Sequence, residues 1–289
     1  MVDKSVTADQ EKWDIHIVSS RRNLEINFAE IWRYRDLLML FVKKDIITVY
    51  KQTILGPVWF VLQPIFTTIV FTFLFGQMAG FSSNGIPSIA FYLSSITLWS
   101  YFSDTLNITS KTFTDNSSIF GKVYFPRLIM PLSKILSGLA KFFIQFCLFL
   151  VMWCYYVFIK HSITPNIYIL FAPLILLVII TMALAFGVLI TSMTTKYRDL
   201  TFLISFGLQL LMYATPVAYS LTDPKVAKYK HLLWYNPLTS LFEGFKYGFL
   251  GKGEFNIPWM LYSTCFTLCM LMIGVYTFNK VEKRFIDTV

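Results

Sequence analysis

Few residues in this chain could do covalent chemistry, and their spacing argues against it. The three histidines, His16, His161 and His231, stand isolated and read as interfacial side chains. The four cysteines, Cys147, Cys154, Cys265 and Cys269, fall inside apolar runs, with no CxxC pair and no histidine at ligand spacing. They are expected to be small packing residues. No HExxH, GxSxG or metal-ligand cluster occurs. Nothing matches GxxxxGK[ST], the loop that cradles nucleotide phosphates. The nearest fragments, Gly121–Lys122 and Gly251–Lys252–Gly253, lack the upstream glycine and the following hydroxyl. Proton-driven transport would place carboxylates within membrane spans; only Asp104 and Glu243 come close, and Asp104 reads as a helix-terminal polar residue. The expected inventory for this chain is therefore no catalytic residue, no metal and no cofactor.

What remains is a surface rather than a reaction centre. Val123–Ser133, VYFPRLIMPLS, fills the polar gap between two long uncharged runs. Aromatics, two prolines and an arginine suit a shaped surface that another protein grips better than a passive linker. The competing reading is that Pro126 and Pro131 only reset the chain before the next helix.

The elements that must carry this surface follow from composition. The chain has 289 residues, 56% hydrophobic and 14% charged, with 29 Phe and 16 Tyr. Soluble domains carry about 25% charged residues, so bilayer is the main solvent. Crossing the hydrocarbon takes roughly 20 apolar residues in a helix. The uncharged windows give six spans, at about 55–76, 87–108, 135–159, 167–193, 200–220 and 257–279, the first two separated by the turn-rich GQMAGFSSNGIPS. With both termini inside, 18 of the 25 Lys and Arg fall on inner segments and 6 on outer loops, while Lys141 lies within the third span. That bias predicts N-in, C-in and accounts for the net charge of +9 without nucleic acid. Lys141 is close enough to its helix end to snorkel to the inner interface. The first 27 residues are polar and show no secretory signal, so the N-terminus is expected to stay in the cytosol.

The expected fold is an all-α integral membrane protein. Residues 1–54 form a cytosolic N-terminus with an amphipathic interfacial helix, 55–279 the six-helix transmembrane domain, and 280–289 a cytosolic tail. In Asn27–Thr53, Phe28, Ile31, Trp32, Leu38, Val42 and Val49 recur at helical spacing, opposite Arg33, Arg35, Lys43, Lys44 and Lys51. This helix either anchors in lipid or also offers its cations to an anionic headgroup such as a pyrophosphate. In the outer loop 221–256, Leu238–Gly251 is apolar but too short to cross, so a re-entrant or interfacial segment is expected before the last span.

Four motifs in order resemble the permease subunits of ABC-2 type exporters for lipid-linked polysaccharides such as O-antigen, with wall teichoic acid exporters close by. They are Leu55–Pro64 (LGPVWFVLQP), Val123–Ser133, Tyr197–Leu200 (YRDL) and Asn236–Gly251 (NPLTSLFEGFKYGFLG). Two departures fall in the outer loop: Lys246 stands where the family often has arginine, and Pro216 lacks a second proline near Tyr219. The resemblance implies a multi-pass protein of the bacterial cytoplasmic membrane. It further implies a homodimer with one pathway between protomers, flanked by a dimer of cytosolic ATPases that bind the ATP and Mg. It makes 109–134 a coupling loop, with Ser117, Ile119, Phe120, Lys122, Tyr124, Phe125 and Arg127 as docking residues. Tyr197, Arg198 and Asp199 would be a second contact, or a turn whose Asp199 caps the fifth helix.

The resemblance also sets the first and fifth spans beside the pathway. A sugar polymer packs its C–H faces on rings and its edges on polar groups. Trp59, Gln63, Phe66, Val70 and Phe73 align at steps of three or four in one span, and Phe202, Phe206, Gln209, Tyr213 and Pro216 in the other. Both stripes mix rings with an amide, and a lipid-facing amide is costly. The substrate implied is a polyprenyl-pyrophosphate-linked glycan; an ABC-2 permease for a small hydrophobic drug or lipid is the alternative.

Overall fold

A computed structural model describes residues 28–51, 56, 58–116, 119, 125–194, 197 and 199–285, and every regular element among them is helical. The amphipathic stretch forms α1 (Phe28–Arg33) and α2 (Arg35–Lys51). Next come α3 (Val58–Phe71), which runs through Pro64 and opens into a π-helical turn at Thr72–Met78, and α4 (Ser88–Ser110). After α5 (Thr112–Asp115), the long α6 (Ile129–Cys154) also ends in a π-helical segment. The chain continues through α7 (Ala172–Thr194), α8 (Leu200–Tyr213), α9 (Pro224–Ala227) and α10 (Lys230–Trp234) to α11 (Pro237–Leu250) and α12 (Ile257–Phe285).

Four of these stretches are long and apolar enough to cross a bilayer: Val58–Met78, Ile129–Ile159, Ile167–Thr194 and Ile257–Val281. The second and fifth expected spans depart in different ways. At ~1.5 Å per residue, α4 has the length to cross, but it carries Ser94, Ser95, Thr97, Thr105, Thr109 and Ser110, all buried. It runs through the middle of the molecule, packed by α3, α6, α7 and α11, so its hydroxyls never meet lipid. Ser94 and Thr97 return their protons to backbone carbonyls one turn back.

Helix α8 stops at Tyr213, short of the expected residue 220. Asn236 ends it: the side-chain amide donates to the Ala214 carbonyl at 3.0 Å and to Thr215 Oγ1 at 2.9 Å. Pro216, the last residue of the expected second stripe, therefore lies beyond the helix and is buried.

The broadest helix contact is between α7 and α12, and small residues make it possible. A Cβ on Gly274 would stand 2.7 Å from the Ala185 carbonyl oxygen. The four cysteines lie exposed on the outer faces of α6 and α12, not packed as the sequence suggested. An apolar run is apolar on every side, so it hides which face meets the core.

The segment expected to be re-entrant or interfacial is helical over Pro237–Leu250. Asn236 accepts from Leu238 N at 3.1 Å and Pro237 takes the first position, while Gly251 closes α11 at φ 70°. At 14 residues, about 21 Å, α11 is too short for the ~30 Å hydrocarbon core. The α7–α12 contact generates a stability test. Gly274→Leu should lower the thermal unfolding midpoint in detergent by several degrees, about 2 kcal/mol. Gly207→Ala, whose Cβ would meet nothing within 4 Å, should leave it nearly unchanged. Equal midpoints for both variants would refute the close-packing assignment.

Candidate functional site

The amphipathic helix is packed, not merely floated on lipid. Phe41 of α2 joins Phe125, Ile129 and Met130 in a small buried cluster, with Tyr34, Leu37 and Leu38 around it. Lys134 of α6 then clamps Asp45 of α2, its ammonium 2.8 Å from each carboxylate oxygen. The opposite face carries the predicted headgroup cations: Arg33, Arg35, Lys43, Lys44 and Lys51 are all exposed. Arg35 lies 5.7 Å over the Trp32 ring, while Lys43 and Lys44 stand side by side.

Of the predicted coupling residues, Ser117, Phe120, Lys122, Tyr124 and Arg198 lie outside the described residues. Phe125 turns inward, 4% exposed, with its ring 5.8 Å from that of Phe41. It ties the coupling segment to α2 and is not itself offered to a partner. Ile119 packs at the edge of the same cluster, and Arg127 is half-buried. Tyr197 is 53% exposed. Asp199 is exposed at the start of α8, where its side chain makes no capping hydrogen bond.

Both aromatic stripes lie on the outside of the isolated chain. Trp59, Phe66, Val70 and Phe73 of the first are each about half exposed, as are Phe206 and Tyr213 of the second, while Phe202 is 80% exposed. Gln63 and Gln209 lie exposed among them. α3 and α8 both rest on α4, so within one chain the stripes are two edges of a common support.

Gln63 has a partner that the sequence reading missed. Lys141 of α6 donates to Asp104 Oδ2 of α4 at 2.7 Å and to Gln63 Oε1 of α3 at 3.1 Å, with the Phe60 ring 5.5 Å from its Nζ. Lys141 has a partner within the chain, and Asp104 is that partner rather than an idle helix-terminal residue. The two form a partly exposed ion pair, and their amide neighbour makes it a three-helix junction. The signal was available: on the predicted topology all three residues fall near the cytosolic ends of their helices.

The opposite end of the bundle holds another ion pair, this one fully buried. Lys246 is 2% exposed and Glu243 0%. Lys246 donates to the Pro216 carbonyl and to Glu243 Oε1 at 3.2 Å, with its Nζ 4.3 Å from the centre of the Phe91 ring. Nearby, buried Asp223 accepts from Ser82 N at 2.6 Å, and Lys225 Nζ donates to the Ala79 carbonyl at 2.7 Å. These bonds fasten the turn between α3 and α4 to the loop after α8. Among the described residues no cluster could hold a metal ion.

Comparison with known proteins places this geometry. Residues 36–250 match the family model described as ABC-2 type transporter. An O-antigen export system permease protein RfbA of Klebsiella pneumoniae is 26% identical over 256 residues, covering 87% of this chain and 94% of the relative. The protein of the same name in Myxococcus xanthus is 26% identical over 219 residues, covering 75% of this chain and 81% of the relative.

The three-helix junction can be tested by a double-mutant cycle. Lys141→Met leaves a partly exposed Asp104 without its counter-charge and should destabilise the protein by about 1 kcal/mol. Lys141→Met with Asp104→Asn should recover at least half of that loss. Thermal unfolding of the purified variants measures both, and strictly additive losses would mean that the pair does not interact.

Proposed function

We propose that this chain, which belongs to the ABC-2 type transporter family, is the permease subunit of an ATP-driven exporter that moves a polyprenyl-pyrophosphate-linked, O-antigen-like glycan across the membrane. It is a multi-pass protein of the bacterial cytoplasmic membrane. The observation that carries the reading is the resemblance to O-antigen export permeases over nearly nine-tenths of the chain. It is supported by two exposed stripes that mix aromatic rings with amides.

In this reading the chain crosses six times, with both termini inside and α11 re-entrant from the outer face. Two copies face each other across a pathway bordered by α3 and α8. A dimer of cytosolic ATPases binds the ATP and Mg, and its closure pushes the coupling loop 109–134 and the turn at Tyr197–Asp199. Phe125 and Ile119 pack beside Phe41, so that push reaches α2 directly and, through Lys134–Asp45, the body of α6. The exposed cations Arg33, Arg35, Lys43, Lys44 and Lys51 attract the pyrophosphate headgroup to the inner mouth. Displacement of α3 relative to α8 then opens the lane, and the glycan passes outward, reducing end first. Rings give it sliding contacts, and the sparse amides hold it too weakly to trap it.

Two measurements test this in a strain whose own permease gene is deleted. Gln209→Leu should cut surface polysaccharide several-fold at equal protein level, and Gln63→Leu should do the same with an added loss of thermal stability. Wild-type polysaccharide in both would remove the pathway assignment and favour a small hydrophobic substrate. Separately, Lys122→Glu with Tyr124→Ala should abolish co-purification of the ATPase and stop export while the permease still reaches the membrane. Undiminished co-purification would mean the docking surface lies elsewhere.

A further inference from the structure

Proline has no N–H to give a helix, and α3 carries Pro64 in its interior. The Phe60 carbonyl, four residues earlier, therefore loses its intrahelical donor. α6 supplies a substitute. Gln145 Nε2 donates to that carbonyl at 3.4 Å, from 85 positions away in the chain. Gln145 is 1% exposed, and its Oε1 meets no donor among the described residues. The carbonyl also decides which way the amide points, because the flipped amide would set oxygen against oxygen. Four residues before Gln145 on the same face of α6, Lys141 donates to Gln63 Oε1 at 3.1 Å. One turn of α6 thus holds the turn of α3 that ends at Pro64. Beyond the proline lies the rest of the exposed stripe, Phe66, Val70 and Phe73.

We infer that Gln145 is a positioning residue for export, a role that rests on the reading of α3 as a wall of the lane. It replaces the donor that Pro64 withholds, fixes α3 where the proline bends it, and so aims the stripe beyond. Proline disturbs a helix twice, through the missing hydrogen bond and through a ring that crowds the carbonyl of residue i−4. That carbonyl needs a donor from outside the helix. Water provides one in a soluble protein, whereas in a bilayer a neighbouring helix must. Gln145 answers from one direction only, which makes the bend definite rather than free. The lever is long enough to matter. Phe73 stands nine residues beyond Pro64, about 13 Å along the axis. A proline bend of about 20° displaces it by about 5 Å.

Pro64→Ala restores an N–H to α3, so the Phe60 carbonyl no longer needs Gln145, and that makes a rescue experiment possible. Gln145→Leu in the full-length permease should lower the unfolding midpoint by several degrees. It should also cut surface polysaccharide several-fold at equal membrane level. Adding Pro64→Ala should return most of the midpoint but not the export, because the straightened helix misplaces its stripe. Pro64→Ala alone, which strands no polar group, should show the same export loss. Nitroxides on Met78→Cys and Ile257→Cys report the bend, with the four native cysteines replaced by alanine and the protein diluted with unlabelled copies. Their separation should shift by about 5 Å with Pro64→Ala. Recovery of both midpoint and export in the double variant would overturn the proposal by making Gln145 a packing residue only. A midpoint that Pro64→Ala does not rescue, or an unshifted separation, would overturn it as well. Should Gln209→Leu stop export while Pro64→Ala does not, the role of Gln145 falls and the lane stands.

Discussion

An ammonium set among apolar helices must find a counter-charge, and Lys141 is where that requirement organises this molecule. Lys141 is partly exposed, so unpaired it would carry a fraction of the penalty of a fully buried charge, about 1 kcal/mol. Asp104 on α4 removes most of it, and Gln63 Oε1 on α3 accepts a second hydrogen bond. Seven residues earlier on the same face of α6, Lys134 makes the equivalent bond to Asp45 of α2. One helix thus presents two cations in a row, and three others arrange themselves around it. The arrangement of α2, α3 and α4 at this end is a solution to α6's charge.

The two ends of the bundle are held by different means. At the end that carries α11, Lys246 and Glu243 are sealed from solvent, and the turn after α3 is bonded through side chains and backbone to the loop after α8. Polar groups buried and satisfied in this way resist displacement, because any shift strands them. At the opposite end, where α2 packs, the ion pairs are partly exposed and border a cavity. Their partners can be exchanged for water or headgroups at modest cost. The end of the bundle at α2 is therefore the more compliant of the two, and α3 and α8 share a fixed point at the other.

Much of the architecture was written in hydrophobic periodicity and turn chemistry. The amphipathic stretch from Asn27 to Thr53 contains α1 and α2 almost to the residue, and Asn236–Pro237 with Gly251 bracket α11 as its caps. What periodicity could not carry was facing. Runs such as FFIQFCLFLVMWC are apolar on every side, so neither the exposure of Cys147 and Cys154 nor the burial of Phe149 follows from spacing. Pairing was hidden for a related reason. Asp104 and Lys141 are 37 positions apart on separate helices, and each alone has an innocuous explanation. Only their common depth, read with Gln63, joins them. Phe125 shows the opposite error: an aromatic in a polar gap looks available, yet Phe41 on a helix far earlier in the chain covers it.

The exposed stripes on α3 and α8 leave a choice between lipid and a lane, and phenylalanine cannot decide it. A ring is at home against an acyl chain, against another subunit or against the face of a sugar. The amides discriminate. A primary amide moved from water into hydrocarbon without partners costs several kcal/mol, and two such residues in otherwise apolar stripes would be an unforced loss. Gln63 offsets part of that cost through Lys141 but remains exposed. Gln209 is exposed on α8 between Phe206 and Tyr213. A stripe that keeps an amide amid its rings is better matched to a surface wetted by water and hydroxyls than to lipid. On the proposed reading, two helices carrying such stripes on one support would give each chain half of a lane that a second copy closes.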